Sequence, residues 1–505
     1  MARYKRYDYS QTVLLPVSLE EQLMPGTLEF AIHRLVETRM DLSRFAERFH
    51  NDETGRSAYD PKILLKIVLL AYARGIVSSR KMERACRENV VFMALTCGQY
   101  PDHSTIAAFI SSMQEEIVLL FRDVLLVCDE MKLLGGTEFA LDGCKLPSNA
   151  SKEWSGTLAD LWRKQEKIEQ KVRQLCEAHI AADGSVGEDK TEQQQREGQI
   201  KRLEQIAQRI TAWLAGNREK IGTRGEAVKS NITDNESAKM VSSHGVIQGY
   251  NAQALVDGKH GVIVHGEALG SGQDHGHVPP LVDGVKENLI AIGKDEDCLA
   301  GAVFTADTNY HSEVNIKKCE QEQLDAYIPD RYFRQRDPRF ATQERHGTKR
   351  EKKFTRDDFQ YDAERDQYLC PQGEVLRRTA KKINAQGTFY RQYCGSAGYC
   401  GGCVVRRRCI KNKGGRYKYL QIPIGTAGRN YSQEMAAKVD TERGRKMYPH
   451  RIAIVEPVFA NLRTHKGLNR FTLRGRIKVT IQWLLYCMVH NIEKIAHCGL
   501  DLVPA

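Results

Sequence analysis

Two aspartates each follow a short apolar run that is typical of a β-strand. Asp142 comes after residues 138–141, and Asp307 comes after residues 302–306. Residues at the carboxyl ends of strands in an α/β sheet face ligands, so we expect both side chains at an open sheet edge. A third acid, Glu456, lies in the apolar stretch 451–459. We expect it to be embedded in a helical surface, where an unpaired carboxylate is costly.

Three converging carboxylates have an obvious chemistry. Carboxylate oxygens are ligands for hard divalent cations, and a two-metal site activates a nucleophile and stabilises the leaving oxygen in phosphodiester transfer. The chain has 64 acidic residues, however. From spacing alone, each of the three acids could equally be a helix cap, a turn residue or a surface charge.

Five of the 14 cysteines fall between residues 370 and 409. Cys400 and Cys403 have the spacing with which two thiolates hold one tetrahedral ion, and the turn that begins at Cys370 offers a third ligand. The sequence predicts a structural zinc ion held by Cys370, Cys400, Cys403 and Cys409, with Cys394 spare. A set of free thiols is the alternative.

The cysteines lie in a strongly basic segment. Residues 331–420 contain 23 basic and 9 acidic residues, a difference of +14 that exceeds the net charge of +11 of the whole chain. Such a block indicates binding to nucleic-acid phosphates, and a solvated basic surface is the alternative. Arg406, Arg407 and Arg408 stand between two of the predicted zinc ligands, and we expect a folded knuckle to present them together.

Composition limits the class of protein. The 505 residues are 41% hydrophobic and 28% charged, which predicts a globular chain of two to four domains and excludes collagen or a disordered chain. The apolar stretches 63–77 and 479–492 are too short for a membrane span. The first 16 residues lack the pattern of a secretory signal, so we expect a cytoplasmic protein with reduced cysteines.

The periodicity of apolar residues predicts five parts. They are an N-terminal arm (1–25), a helical DNA-binding domain (26–134), a mixed α/β domain (135–330 and 440–498), a helical hairpin inserted at 155–220 with a polar loop at 183–195, and a basic cysteine-rich insertion (331–425). Strand-like runs at 250–256 and 262–269 are joined by a hairpin turn. The order of elements predicts a mixed sheet with carboxylates at strand ends.

Two short motifs have alternative interpretations. Asp102 or Ser104 could cap a helix, and in a helix-turn-helix Ser104 and Thr105 would reach DNA at the start of the second helix. A plain capped helix in a bundle fits the same residues. The group around Asp274 and His277 suggests a metal site, but we interpret it as a loop before a helix.

Several ordered blocks of sequence resemble bacterial insertion-sequence transposases of the DDE class. The blocks are QTVLLP at 11–16, SSRK at 78–81, PDHSTI at 101–106, DG at 142–143, NAS at 149–151, QGYNAQ at 248–253, ADTNY at 306–310, VEPVF at 455–459 and FTLRG at 471–475. The resemblance covers nearly the whole chain. It implies an N-terminal helical domain and a ribonuclease-H-like catalytic core.

The resemblance implies a catalytic triad of Asp142, Asp307 and Glu456 that binds Mg²⁺, with Mn²⁺ as a substitute. The activity it implies is cleavage at the ends of the element, followed by attack of the freed 3′-hydroxyl on target DNA. The last block is also similar to the Tyr-Arg-Glu-Lys signature of the class through Tyr448, Arg451, Glu456 and Arg463. The signature is altered in two ways: Arg451 and Glu456 are separated by four residues instead of three, and Arg463 replaces a lysine, although arginine also binds phosphate.

The implied partners are double-stranded DNA, namely the terminal inverted repeats and the target, and further copies of the chain in a synaptic complex. The implied location is the bacterial nucleoid. Two other functions fit the same residues. One is a decayed or domesticated DNA-binding protein, and the other is a metal-dependent nuclease that does not join DNA ends.

Overall fold

The computed structural model describes residues 18–47, 57–183, 190–222, 225–242, 245–340, 342–343, 353–385, 388–410, 414–423 and 430–499. The chain is a mixed α/β protein with a helical N-terminal region, as the sequence predicts. Residues 1–17 of the predicted N-terminal arm, including the QTVLLP block, lie outside the described residues. A short 3-10 helix (Glu20–Gln22) follows them.

The N-terminal region is built around one almost entirely buried helix. Residues 63–72 of this helix are all buried, and Asp60 caps it just before Pro61. Proline suits this first helical position because its missing N–H would have no partner there. The helices of the region are α1 (Leu28–Thr38), α2 (Ser43–Ala46), α3 (Pro61–Ala73), α4 (Ser79–Glu88), α5 (Val90–Leu95), α6 (His103–Ser112) and α7 (Glu116–Glu130).

Among the described residues, no single helix is long and apolar enough to cross a membrane. Helices α6 and α7 meet the length and composition criteria only together, as a pair bent by 80°.

A long strand and a helical hairpin follow α7. The hairpin helices pack along each other around Leu161, Ile210 and Ile232. The second one begins at Lys190, inside the segment predicted as a polar loop at 183–195. The elements are β1 (Glu138–Pro147), β2 (Ser155–Gly156), α8 (Leu158–Asp183), α9 (Lys190–Gly216), β3 (Lys220–Ile221), β4 (Ala227–Val228) and β5 (Ser230–Asn231).

The main sheet is mixed, as predicted. Its strand order is β10-β9-β1-β7-β6, and β8 also pairs with β7. Strands β1, β9 and β10 are parallel to one another, whereas β6, β7 and β8 pair in antiparallel fashion. The elements added here are β6 (Ala238–Ser242), β7 (Gly245–Asp257), β8 (Ile263–Leu269), α10 (Val278–Ala291), β9 (Val303–Thr305), α11 (Glu313–Gln321) and β10 (Asp325–Tyr327).

The cysteine-rich segment forms a second, five-stranded antiparallel sheet with its own small core. Its buried hydrophobic residues are Phe359, Tyr368, Leu376, Tyr393 and Leu420. The elements are α12 (Phe333–Arg336), β11 (Gln360–Asp362), β12 (Gln367–Leu369), β13 (Val375–Ala385), β14 (Thr388–Cys394), α13 (Ala397–Gly402), α14 (Arg406–Cys409) and β15 (Tyr419–Pro423).

Three helices return the chain to the main sheet. They are α15 (Tyr431–Asp440), α16 (Glu442–Ala460) and α17 (Arg476–His497). Helix α17 is buried along most of its length and packs against β8 on one side and α7, α3 and α1 on the other. The N-terminal helices and the sheet therefore share one hydrophobic core.

Candidate active site beside two parallel strands

The parallel register of β1 and β9 brings two aspartates together. Ala140 lies opposite Thr305 in this pairing, and Asp142 and Asp307 are each two residues further on. Asp307 follows the end of β9, but Asp142 lies inside β1, so its predicted position at a strand end is wrong: β1 continues because it stays paired with β7 as far as Pro147. Burial raises the pKa of Asp307, and the nearby carboxylates of Asp142 and Asp274 raise it further. The structure thus places two of the three predicted catalytic acids within electrostatic reach of each other.

Asp307 also organises the turn that follows it. Its carboxylate caps the 3-10 turn Thr308–Tyr310 and accepts hydrogen bonds from the backbone N–H of Asn309 at 2.8 Å and from the side-chain amide of Asn309 at 3.1 Å. The ADTNY block is therefore a capped turn directly after a buried strand. Such a cap holds the carboxylate in one orientation.

Helix α16 contributes a cation to the acidic pair. The guanidinium Nη1 of Arg451 donates to Asp142 Oδ2 at 2.7 Å, and the side chain of Arg451 is only 12% exposed. The other oxygen of Asp142 accepts the backbone N–H of Gly143 at 2.8 Å. Nε of Arg451 is buried and has no hydrogen-bond partner among the described residues. Arg451 therefore balances the charge of Asp142, and its Nε–H donor has no partner among the described residues.

Tyr448 lies one turn before Arg451 on the same helix and borders the site. Its ring packs edge-to-face on Phe333, with 5.3 Å between ring centroids. Burial raises the pKa of the Tyr448 hydroxyl, and Arg451 and Asp307 both act on it electrostatically. The predicted DNA-contact residues Tyr448 and Arg451 are thus beside the two aspartates.

Glu456 lies elsewhere on this helix. The side chains of Ile454, Val455 and Val458 face the core, whereas Glu456 is exposed, so the expectation that it is embedded in an apolar surface is wrong. Glu456 is the fifth residue after Arg451, so the two side chains point about 140° apart around the helix axis. Among the described residues, no group of three or more His, Cys, Asp or Glu side chains is arranged to hold a metal ion.

Arg463, the fourth residue of the signature, lies in the π-helical turn Asn461–His465 that extends α16. Its side chain is exposed, and its charge acts on the thiol of Cys144, whose pKa burial raises to about 12. Cys144 is two residues after Asp142 and therefore on the same side of β1. Arg463 thus lies near β1 at Cys144, two residues beyond Asp142.

A buried polar network lies next to the two aspartates, and it was not predicted from the sequence. Asn251 and Gln253 of β7 both donate to Asp274 Oδ1, at 2.6 and 3.2 Å. A Cβ at Gly143 would lie 2.2 Å from the Gln253 amide nitrogen, so the DG block needs its glycine. The available signal was two polar residues on a strand otherwise predicted to be apolar.

The four predicted zinc ligands line one cavity of about 230 Å³. Cys370 Sγ accepts the backbone N–H groups of Gln372 at 3.4 Å and Glu374 at 3.2 Å, in a turn that Gly373 makes possible with a φ of +80°. Burial raises the pKa of the Cys409 thiol, and the other three cysteines raise it further. The four thiols therefore share one environment. Cys394 lies on β14, with Gln392 donating to its sulfur at 3.2 Å.

Comparison with known families decides the class of the chain. The transposase DDE domain matches residues 369–496, and a transposase domain, DUF772, matches residues 17–112. These two matches support a DDE transposase of the insertion-sequence type. The first match includes Glu456 and the cysteine cavity, and the second covers most of the helical N-terminal region. No curated protein and no solved structure matches the chain.

The cysteine-rich unit does not present Arg406, Arg407 and Arg408 together, so that expectation is wrong. Arg406 donates to the carbonyl oxygens of Cys400 at 2.6 Å and Gly415 at 2.7 Å, because these backbone groups need donors. Arg408 stacks on Phe354, with 4.4 Å from its guanidinium carbon to the ring centroid. Of the three side chains, Arg407 alone is fully exposed.

Ser104 and Thr105 lie in the first turn of helix α6. Asp102 is the cap, accepting the backbone N–H groups of both residues and both of their hydroxyls. The hydroxyls predicted to contact DNA are therefore engaged in the cap. The exposed basic residues nearby belong to α4, at Arg80, Lys81, Arg84 and Arg87.

Proposed function

We propose that the chain cleaves DNA at the ends of its insertion element with divalent metal and joins the 3′-hydroxyl to target DNA. The observation that carries this proposal is the pairing of Asp142 and Asp307 on adjacent parallel strands, beside the guanidinium of Arg451. Within this proposal the main sheet is a ribonuclease-H-like core formed by residues 135–330 and 440–498, interrupted by the hairpin and cysteine-rich insertions.

The carboxylates of Asp142 and Asp307 fit Mg²⁺, with Mn²⁺ as a substitute. Asp142 lies close enough to Asp307 to raise the pKa of Asp307, and such a pair of acids favours a neighbouring cation, which Arg451 supplies in this structure. When bound, the metal polarises the phosphodiester and activates a water or 3′-hydroxyl nucleophile. Arg451 would then be free to turn its donors, including the unpartnered Nε, to the DNA phosphate. Tyr448 and Arg463 would lie beside that phosphate.

Glu456 is proposed as the third catalytic acid. It is exposed on α16, the helix that carries Arg451 and packs on β1 and β9. To join the pair, its segment of the helix must turn toward Asp142. Pro449 and Pro457 lie inside this helix and a π-helical turn follows it, and each of these features weakens the regular hydrogen-bond ladder.

The cysteine-rich unit is proposed to hold one structural zinc ion through Cys370, Cys400, Cys403 and Cys409. Their shared cavity and the backbone N–H groups directed at Cys370 Sγ support this, because such donors stabilise a thiolate. Five hydrophobic residues are buried in the described part of the unit, a small core for a five-stranded sheet. Metal binding would compensate for the missing apolar burial.

DNA is the proposed partner of the basic unit and of the helical N-terminal region. Arg407 and, on α4, Arg80 and Lys81 are exposed and available for phosphates. Arg406, Arg408, Ser104 and Thr105 have internal contacts, and Arg84 and Arg87 of α4 are paired with Glu88 and Glu83. We propose that the DNA is the terminal inverted repeats and the target, that a dimer or larger assembly holds two ends, and that the protein works at the nucleoid.

The direct test is a strand-transfer assay with purified protein, a labelled duplex of the element's own flanking sequence, a target plasmid and Mg²⁺. Label joined to the plasmid is the expected result. Cut duplex that is never joined would indicate a nuclease. Specific binding with neither product would indicate a decayed DNA-binding protein.

Glu456→Gln is expected to lower the cleavage rate by at least about 10³-fold, because a catalytic carboxylate is lost. The melting temperature should stay unchanged, since the side chain is exposed. Cleavage is measured beside Glu442→Gln, a matched change on the exposed surface of the same helix. If both variants cut like the wild type, the third acid must be sought elsewhere.

A further inference from the structure

A loop carboxylate behind the acidic pair has no role in the function proposed so far. Asp274 lies between β8 and α10 and is only 7% exposed. Buried carboxylates are costly unless hydrogen-bonded, and Oδ1 of Asp274 accepts the side-chain amides of Asn251 and Gln253. His277 Nδ1 lies 3.4 Å from the same oxygen, and Lys145 of β1 is within electrostatic reach.

The network continues from Asp274 to the turn that carries Asp307. The amide nitrogen of Gln253 is held by Asp274, and its amide oxygen accepts the hydroxyl of Tyr310, which is buried three residues after Asp307. The side chain of Gln253 is thereby fixed at both ends. It connects the loop at Asp274 with the turn Thr308–Tyr310.

A second connection uses the backbone of the same two segments. The side-chain amide of Asn315 donates to the carbonyl oxygen of Asp274 at 3.2 Å and to that of Tyr310 at 2.8 Å. Asn315 is fully buried. Two independent bridges thus fasten the Asp307 turn to the Asp274 loop, and displacement of either segment would leave buried polar groups unsatisfied.

We propose that Asp274 is a positioning residue of the metal site: it holds the Asp307 turn through Gln253 and Tyr310 and adds a negative charge behind the acidic pair. This inference rests on the proposed function. Because Oδ1 of Asp274 already accepts two amide donors, the residue acts through its neighbours, as outer-shell partners of metal ligands do.

The test substitutes Asp274→Asn, which keeps an acceptor oxygen for the two amides and removes the charge. Mn²⁺ binding to the DNA-free protein is measured from the electron paramagnetic resonance signal of free Mn²⁺. Cleavage is titrated with Mn²⁺ in parallel. Both midpoints should rise by roughly 10- to 100-fold, the range for outer-shell substitutions. Amide exchange of residues 308–310 should accelerate in metal-free Tyr310→Phe, which loses the bond to Gln253.

The matched control is Asp234→Asn. Asp234 is equally buried and accepts the hydroxyl of Tyr250 at 2.8 Å, but it lies in the loop between β5 and β6. We expect it to change thermal stability and not the Mn²⁺ midpoints. Tyr310→Phe, which deletes only the bond to Gln253, should raise the midpoints in the same direction, and it decides the question if Asp274→Asn does not fold.

The positioning role alone is overturned if the wild-type protein binds Mn²⁺ and cleaves, and Asp274→Asn has the same Mn²⁺ midpoints. If Asp274→Asn does not fold, Tyr310→Phe takes its place in this comparison. Wild-type protein that neither binds Mn²⁺ nor cleaves would overturn the proposed function, and the positioning role with it. The two failures are therefore distinguishable in one set of titrations.

Discussion

Asp307→Asn is expected to reduce cleavage of the element's end by at least about 10³-fold, because the substitution removes a charged metal ligand from the acidic pair. Binding of the end duplex should change less than about threefold, since Asp307 is an acid and offers phosphates no attraction. Cleavage is followed by gel assay with Mg²⁺, and binding is followed by fluorescence anisotropy without metal.

The fold should tolerate this change. Burial and the charges of Asp142 and Asp274 raise the pKa of Asp307, so its ionised form is less stable in the folded than in the unfolded chain. This penalty is absent at pH values below the pKa of Asp307 in the unfolded chain and complete at pH values above its pKa in the folded chain. It is therefore present at neutral pH. Asparagine removes it and keeps an acceptor for the N–H of Asn309, so the melting temperature should not fall appreciably.

Asp295→Asn, an exposed acid in the turn after α10, is the matched control and should cleave normally. Equal cleavage by Asp307→Asn and the control would disprove the assignment of Asp307. Loss of binding together with cleavage would instead indicate that the substitution disturbs the DNA surface.

Cys403→Ser should remove zinc from the protein and unfold the cysteine-rich unit. We expect about one zinc per wild-type chain by elemental analysis and a large loss in the variant. Zinc binding stabilises small domains by roughly 10–16 kcal/mol, and five buried hydrophobic residues cannot replace that amount. Amide exchange of residues 360–423 should become fast, while α17 and the main sheet stay protected.

Cys394→Ser is the control for this experiment. Cys394 is in the same unit but outside the cavity, on β14 opposite Tyr419. It should retain zinc and exchange like the wild type. A wild-type protein purified without zinc that nevertheless melts and exchanges normally would refute the zinc proposal, and zinc loss in both variants would revise the ligand set.

Local signals in the sequence were sufficient for much of this protein. The mixed sheet and the N-terminal helices follow from periodicity, because strands and helices repeat their buried faces at different intervals. The placement of Asp307 after an apolar strand was also predictable, whereas Asp142 lies inside β1. The class followed from ordered blocks that the transposase domain matches support.

Relations between distant segments depended on the tertiary structure. The sequence predicted a buried Glu456, but the helical phase set by Ile454, Val455 and Val458 exposes it. Three consecutive arginines suggested one basic patch, whereas nearby carbonyls and Phe354 engage two of them. These outcomes depend on which acceptors lie close in space, which a one-dimensional pattern does not encode.

The buried polar network beside the two aspartates was likewise only partly predictable from the sequence. QGYNAQ was evident as a block, but the partnership of Asn251 and Gln253 with Asp274 arises only when β7 and the loop after β8 meet. The sequence by itself determined the element types, the class and the position of Asp307 after a strand, because these depend on neighbours in the chain. Only the tertiary structure decided which charges face the aspartates, because burial and electrostatics act through space.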